Sequence, residues 1–378
     1  MQLEKFSRNK NGKAGKPKVA FLLSDQLGWR TYAQQLLRVA AQRDDVDFVF
    51  KLYSFPTFAS PFLKWANSNK SFLGKFKQTL DPITFAKYHL RSWWLELEKD
   101  PSIVSVHVAS HILAGGVLSY TSLPYTIALD ATRPCVSRGL FDVHWTESQI
   151  AREKVICSSA SHIYPMSGWA ENSVLTDFSC FPSRSTIIPP SGFISDFPQP
   201  RSFTKSARPK VVFIGNDLYR KGGDKLIKWA QGPLRNEMEL HIISQALTKD
   251  MSDGNIKIHG ARSNKEILNE ILPTMDIFCL PTQQDMSPQV LMEAALSQIP
   301  SIATNVGGIS EMIINGKTGF VVPKNNDTHF LNALTNLIKN NQLRFTMGRA
   351  ARLHAESKMN ADKNFNKLIE NMLAIQKP

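Results

Sequence analysis

Residues 281–323 read PTQQDMSPQVLMEAALSQIPSIATNVGGISEMIINGKTGFVVP, and the fold turns on this stretch. A turn carries Asp285, and a helical run from Pro288 to Ser297 carries Glu293 eight positions later. The apolar run Ile299–Ala303 leads to Gly307-Gly308 and a further carboxylate, Glu311; Gly316 and Gly319 then frame a turn before Phe320-Val321-Val322. A loop that leaves a strand and opens a helix aims unpaired backbone N–H groups at one spot, and the helix dipole makes that spot attractive to phosphate. Ionised carboxylates only accept hydrogen bonds, so Asp285 and Glu293 suit sugar hydroxyls. The segment therefore offers a diphosphate seat and two hydroxyl-binding arms. The competing reading is an ordinary βαβ turn with surface acids, because short motifs recur by chance.

Upstream, Lys210-Val-Val-Phe-Ile-Gly215 is continuously apolar and β-branched, which predicts a buried strand closed by glycine. Asn216-Asp-Leu-Tyr-Arg-Lys-Gly-Gly223 follows, then an amphipathic helix through Trp229. Arg220 and Lys221 in a glycine-rich strand-to-helix turn can neutralise phosphate, one as a fork and the other as a point charge. A solvated basic turn is the alternative for the pair taken alone.

With these blocks in order, the stretch from Val211 to about Gly348 resembles the C-terminal half of retaining glycosyltransferases of family 4, the glycosyl transferases group 1 with the GT-B fold. The motifs that carry the resemblance are GNDLYRKGGDKLI, IKIHGARSNKEILNEILPTMDIFCLPT, the Asp285-to-Glu293 helix and TNVGGISEMIINGKTGFVVP. The resemblance implies an α/β fold of two Rossmann-like domains facing a central cleft, with the active site in that cleft. It implies that Arg220 and Lys221 hold a donor diphosphate beside Gly215, and that Glu293 binds ribose hydroxyls. Asp285, where the family has glutamate, would contact the donor sugar, and Met286 and Ser287 would lend backbone N–H groups. Asn216 stands where the family has arginine, and Arg220 would take over its role. The implied reaction moves a sugar from a nucleotide-diphosphate sugar to a glycan or lipid-linked glycan with retention. The alternative is a non-catalytic GT-B protein that binds nucleotide sugar or glycan. The resemblance also implies that no cofactor and no metal are needed.

The remaining sequence fits two α/β halves. A basic tail, 1–18, precedes a first half, 19–192, with strands predicted at Val19–Leu23, 46–50, 103–109, 125–130 and 160–165. A loop is predicted over Asp25–Arg30 and a helix over 31–42. Proline-rich, polar residues 193–209 read as a linker. The second half spans 210–350, and 351–378 reads as a C-terminal helix that crosses back to the first. On the acceptor side the candidates are Gly28, the lone glycine after the first strand; His111, at a strand-to-helix junction; and Asp130 with Arg133 in TIALDATRP. Asp130 is read as a cleft residue touching a sugar hydroxyl, or else as a turn cap. His107 and Trp169 read as packing residues.

The four cysteines, Cys135, Cys157, Cys180 and Cys279, are scattered and suit a reducing compartment. The start of the chain lacks the apolar run of a signal peptide, and no uncharged run approaches a membrane span, so the expected location is cytoplasmic or peripheral at an inner membrane face. Residues 1–100 hold 17 Lys+Arg against 9 Asp+Glu, so +8 of the net +13 lies there. Over 64–94 these cations interleave with aromatics, which suits an anionic membrane surface and, below that, nucleic acid. A solvated helical face over an aromatic core explains the same pattern.

Overall fold

The computed structural model describes residues 16–54, 82–119, 121–199, 208–248 and 251–375. The chain forms two units. One takes the described residues of Met1–Met166, Ala170–Ile187 and Asp362–Pro378; the other takes Ser167–Trp169 and Ile188–Ala361.

The first unit is built on five parallel strands: β1 (Lys18–Ser24), β2 (Asp47–Tyr53), β3 (Ile103–Ala109), β4 (Tyr125–Leu129) and β5 (His162–Pro165). Their order is β2-β1-β3-β4-β5. A parallel sheet is covered on both faces, so its strands are apolar throughout rather than alternating. Val19 to Leu23 are accordingly fully buried. The helix Ala361–Ala374 belongs almost wholly to this unit and is tied to it by Ser105, whose hydroxyl donates to the Met372 carbonyl at 2.9 Å.

The second unit holds six parallel strands: β6 (Lys210–Ile214), β7 (Glu239–Ile243), β8 (Ile256–Gly260), β9 (Ile277–Leu280), β10 (Ser301–Thr304) and β11 (Gly319–Val322). Their order is β11-β10-β9-β6-β7-β8. The chain starts in the middle at β6, runs outward through β7 and β8, then returns to β9 on the other side. The order therefore reverses between β6 and β9, which are neighbours in the sheet. Open parallel sheets take their ligands at such a switch point, outside the carboxyl ends of the strands.

Several expectations shift in detail. The first helix begins at Leu27 and runs to Ala40, so Gly28 lies in its first turn and not in a loop. Residues 193–199 group with the second unit: Phe193 and Phe197 are buried there, and Arg352 donates to the Pro198 carbonyl at 2.6 Å. Residues 200–207 lie outside the described residues, as do 1–15 of the basic tail. Of the stretch 64–94, residues 64–81 also lie outside. In the described part, helices Pro82–His89 and Arg91–Glu98 bury Trp93 and Trp94 and leave Tyr88 exposed, so the two tryptophans serve the core.

Candidate functional site

The loop leaving β6 and the loop leaving β9 are stitched together at the switch point. Gln283 donates its N–H to the Arg220 carbonyl at 2.8 Å, and the Arg220 guanidinium donates to the Gln284 carbonyl at 2.5 Å and to Asp217 at 3.0 Å. Lys221 places its ammonium 3.1 Å from Oδ2 of Asp285, with both side chains mostly buried. Two glycines permit this approach. Gly222 has φ +77°, and a Cβ there would lie 2.2 Å from the Pro281 carbonyl oxygen. A Cβ on Gly215, just past β6, would lie 2.7 Å from Cδ of Lys221, so the bare glycine gives the lysine stem its path. The helix Gly223–Gln231 then starts directly behind the two cations.

Glu293 lies on the helix Gln289–Leu296 and is 6% exposed. Burial pushes its carboxyl above the usual carboxylate range, opposed by a hydrogen bond from Asn264 and by the charge of Lys221. Burial disfavours the ionised form, whereas a donor and a nearby cation favour it. The coupling to Lys221 brings Glu293 into the same electrostatic group as the basic turn and Asp285. Before that helix, the Ser287 hydroxyl is buried with no hydrogen-bond partner among the described residues. The Met286 N–H is turned onto Oδ1 of Asp285 at 3.2 Å, and the Met286 carbonyl accepts from Gly308 at 2.7 Å. Asn216 holds the neighbouring loop through the Gln245 N–H at 3.3 Å. The crevice can thus present two cations, two carboxylates and an unpaired hydroxyl to one ligand.

The first unit treats its candidates differently. His107 is fully buried, bonded to the Tyr32 hydroxyl at 2.9 Å and the Thr126 hydroxyl at 2.8 Å, and burial lowers its pKa to about 3. It is a neutral core histidine, as read from sequence. His111 and Arg133 converge on one residue that sequence reasoning passed over. Glu153 is wholly buried, accepts the Arg133 N–H at 3.0 Å, and lies 2.7 Å from Nε2 of His111. Arg133 also donates to the Gln149 carbonyl at 2.8 Å and stacks over Trp145. His111 follows Ser110, whose φ of +97° is an uncommon conformation for a residue with a side chain, at the end of β3. Asp130 follows β4 and is half-buried. Gly28 is on the helix Leu27–Ala40.

Comparisons with known proteins agree with this reading. Residues 208–340 match the family model described as Glycosyl transferases group 1. The D-inositol 3-phosphate glycosyltransferase of Paenarthrobacter aurescens is 27% identical over 196 residues, 46% of this chain and 48% of that protein. The chain spans between about a quarter and a half of the length of the curated relatives it matches first. Sucrose-phosphate synthase from Thermosynechococcus elongatus has a similar structure, with TM-score 0.69, 16% identity, and coverage of 95% of this chain and 99% of that one. Anabaena HepE in complex with UDP-glucose has TM-score 0.65 at 15% identity, covering 95% of this chain and 100% of HepE. At such identities the likeness establishes the fold, which is GT-B: two parallel-sheet α/β halves, as the sequence predicted. The family match falls wholly within the second unit, which carries Arg220, Lys221, Asp285 and Glu293. Among the described residues no helix is long and apolar enough to cross a membrane.

Proposed function

We propose that the chain is a retaining glycosyltransferase that moves a hexosyl group from a nucleoside-diphosphate sugar to a glycan or lipid-linked glycan. The observation that carries this reading is the convergence of Arg220, Lys221 and Asp285 at the β6/β9 switch point. That HepE is seen with UDP-glucose favours a uridine nucleotide as the first donor to try.

In this proposal the donor diphosphate lies against Arg220 and Lys221 and draws on the unpaired Ser287 hydroxyl. Glu293 accepts ribose hydroxyls, and Asp285 meets the sugar. As the glycosidic bond lengthens, the leaving diphosphate gains charge, which fixed cations in a partly desolvated crevice stabilise without reorganising. The departing phosphate takes the acceptor's proton on the face it leaves, so no protein nucleophile is required. The reaction is proposed to need no metal, because Arg220 and Lys221 can balance the diphosphate charge. Asp130, His111, Arg133 and Gly28 are assigned to the acceptor side, and residues 64–94 to an anionic membrane face carrying a lipid-linked acceptor.

A second reading is a non-catalytic binder of nucleotide sugar or glycan. The engagement of Lys221 by the short Asp285 arm favours it. NMR of mixtures with UDP-glucose, GDP-mannose and other nucleotide sugars decides between them. Release of nucleoside diphosphate with an α-configured product from an α-configured donor supports transfer with retention. Saturable binding with no turnover for any donor or acceptor supports the binder.

A further inference from the structure

Glu293 is buried, yet one of its two carboxylate oxygens is held from outside. Asn264 donates its side-chain amide to Oε1 at 3.1 Å across 29 positions of sequence. Asn264 itself is solvent-exposed, so it reaches inward from the surface rather than completing an interior network. Its backbone is fixed independently by a reciprocal cap. The Ser263 hydroxyl accepts the Glu266 N–H at 3.3 Å, and the Glu266 carboxylate accepts the Ser263 N–H at 2.8 Å. Among the described residues Oε2 accepts no hydrogen bond, and it is not among the buried unpartnered atoms.

A carboxylate that turned freely would offer either oxygen and any angle. An amide pinned at Oε1 fixes the plane of the group, so that Oε2 presents its lone pairs in one direction. The capped helix start at Ser263–Glu266 is what holds the amide there. Groups of this kind act by orienting the residue that touches the ligand. A merely structural partner for a buried carboxylate would be expected from the interior, where Glu293 has only the charge of Lys221.

We infer that Asn264 is a positioning residue that makes Glu293 selective for the vicinal hydroxyls of a ribose. The inference rests on the donor-site reading above. It extends that site to the loop after β8 and names ribose over deoxyribose as the feature read. A site built to accept a hydroxyl discriminates against the analogue lacking it, because the carboxylate is then left unpaired.

The test is isothermal titration of the full chain with UDP and GDP, then with the 2′-deoxy and 3′-deoxy forms of whichever binds. Wild type is expected to prefer the ribonucleotide at least about tenfold over one deoxy form. Asn264→Ala and the similarly sized Asn264→Leu, which cannot donate, are expected to lose most of that preference. They should weaken the ribonucleotide while leaving the deoxynucleotide within about twofold. Retained deoxynucleotide binding shows that the variants are folded and that the phosphate seat is intact. If wild type binds neither UDP nor GDP, the donor-site reading itself falls. If wild type discriminates and both variants discriminate equally well, Asn264 has no positioning role and the inference is overturned.

Discussion

The Lys221 ammonium sits 3.1 Å from the Asp285 carboxylate at the switch point of the second sheet. In the proposed site, the cation assigned to a diphosphate is paired with the acid assigned to a sugar. An incoming anion must compete with Asp285, and a sugar must replace Lys221 as the partner of Asp285. Asp285→Asn removes the competitor. It is expected to leave UDP affinity equal or a few-fold tighter while lowering turnover at least about tenfold. Lys221→Ala removes charge-assisted bonds worth about 1.5–3 kcal/mol and should weaken UDP about 10- to 100-fold. Titration with UDP alongside turnover of a UDP-sugar checks both, and looser UDP binding by Asp285→Asn would contradict the competition.

Gly222 shapes the same turn. With φ +77° and the Pro281 carbonyl where a Cβ would go, Gly222→Ala is expected to cost at least about 1–3 kcal/mol from backbone strain and to displace Arg220 and Lys221. Urea unfolding and UDP titration of the variant measure the two effects. A neutral substitution would mean that the turn is not held against β9.

Glu293 gives a pH signature. Its carboxyl titrates above the ordinary 4.5 in the folded chain because it is buried. The unfolded chain therefore loses this proton first, and the group lowers stability progressively as pH rises through the folded-state value. Below about pH 4.5 that cost is absent. Glu293→Gln is expected to raise the melting temperature of the free protein at neutral pH, by about 2–4 °C per kcal/mol recovered, with the difference shrinking toward acid. The same variant should lose UDP binding. Calorimetry across pH checks this, and a Glu293→Gln chain less stable than wild type at pH 7.5 would count against it.

His107 predicts the opposite limb. Its folded pKa is about 3 against 6.5 when exposed, so the stability supplied by the neutral ring is lost as pH falls below 6.5 toward 3. His107→Phe leaves the Tyr32 and Thr126 hydroxyls without their shared partner, at about 1–3 kcal/mol each, and should flatten that acid limb. Denaturant unfolding between pH 4 and 7 measures it.

The two loops of the proposed donor site are legible because each directly follows a strand with an unmistakable apolar run. Arg220 and Lys221 come five and six residues after Gly215, and Asp285 comes five after the last residue of β9. Asn264 was not legible. No apolar run or glycine pair marks it, and only the lateral order of β8, β7, β6 and β9 brings it to Glu293 on the helix Gln289–Leu296. Glu153 escaped for another reason. On the helix Glu147–Ser159 it sits in ESQIAREKVICSS, where charged residues fall all round and nothing in the pattern marks this one acid as fully buried. The early helix start at Leu27 was hidden by Gly28, a poor helix former, and by the lack of a capping side chain at Gln26.

The central claim is that the β6/β9 switch point seats a nucleoside diphosphate. The most direct test is the melting temperature of wild type, Lys221→Ala and Glu293→Ala with UDP and GDP, since a ligand that binds only the folded state raises it by mass action. The account predicts that one nucleotide stabilises wild type and neither variant. No shift with any nucleotide, or a shift that survives both substitutions, would contradict it.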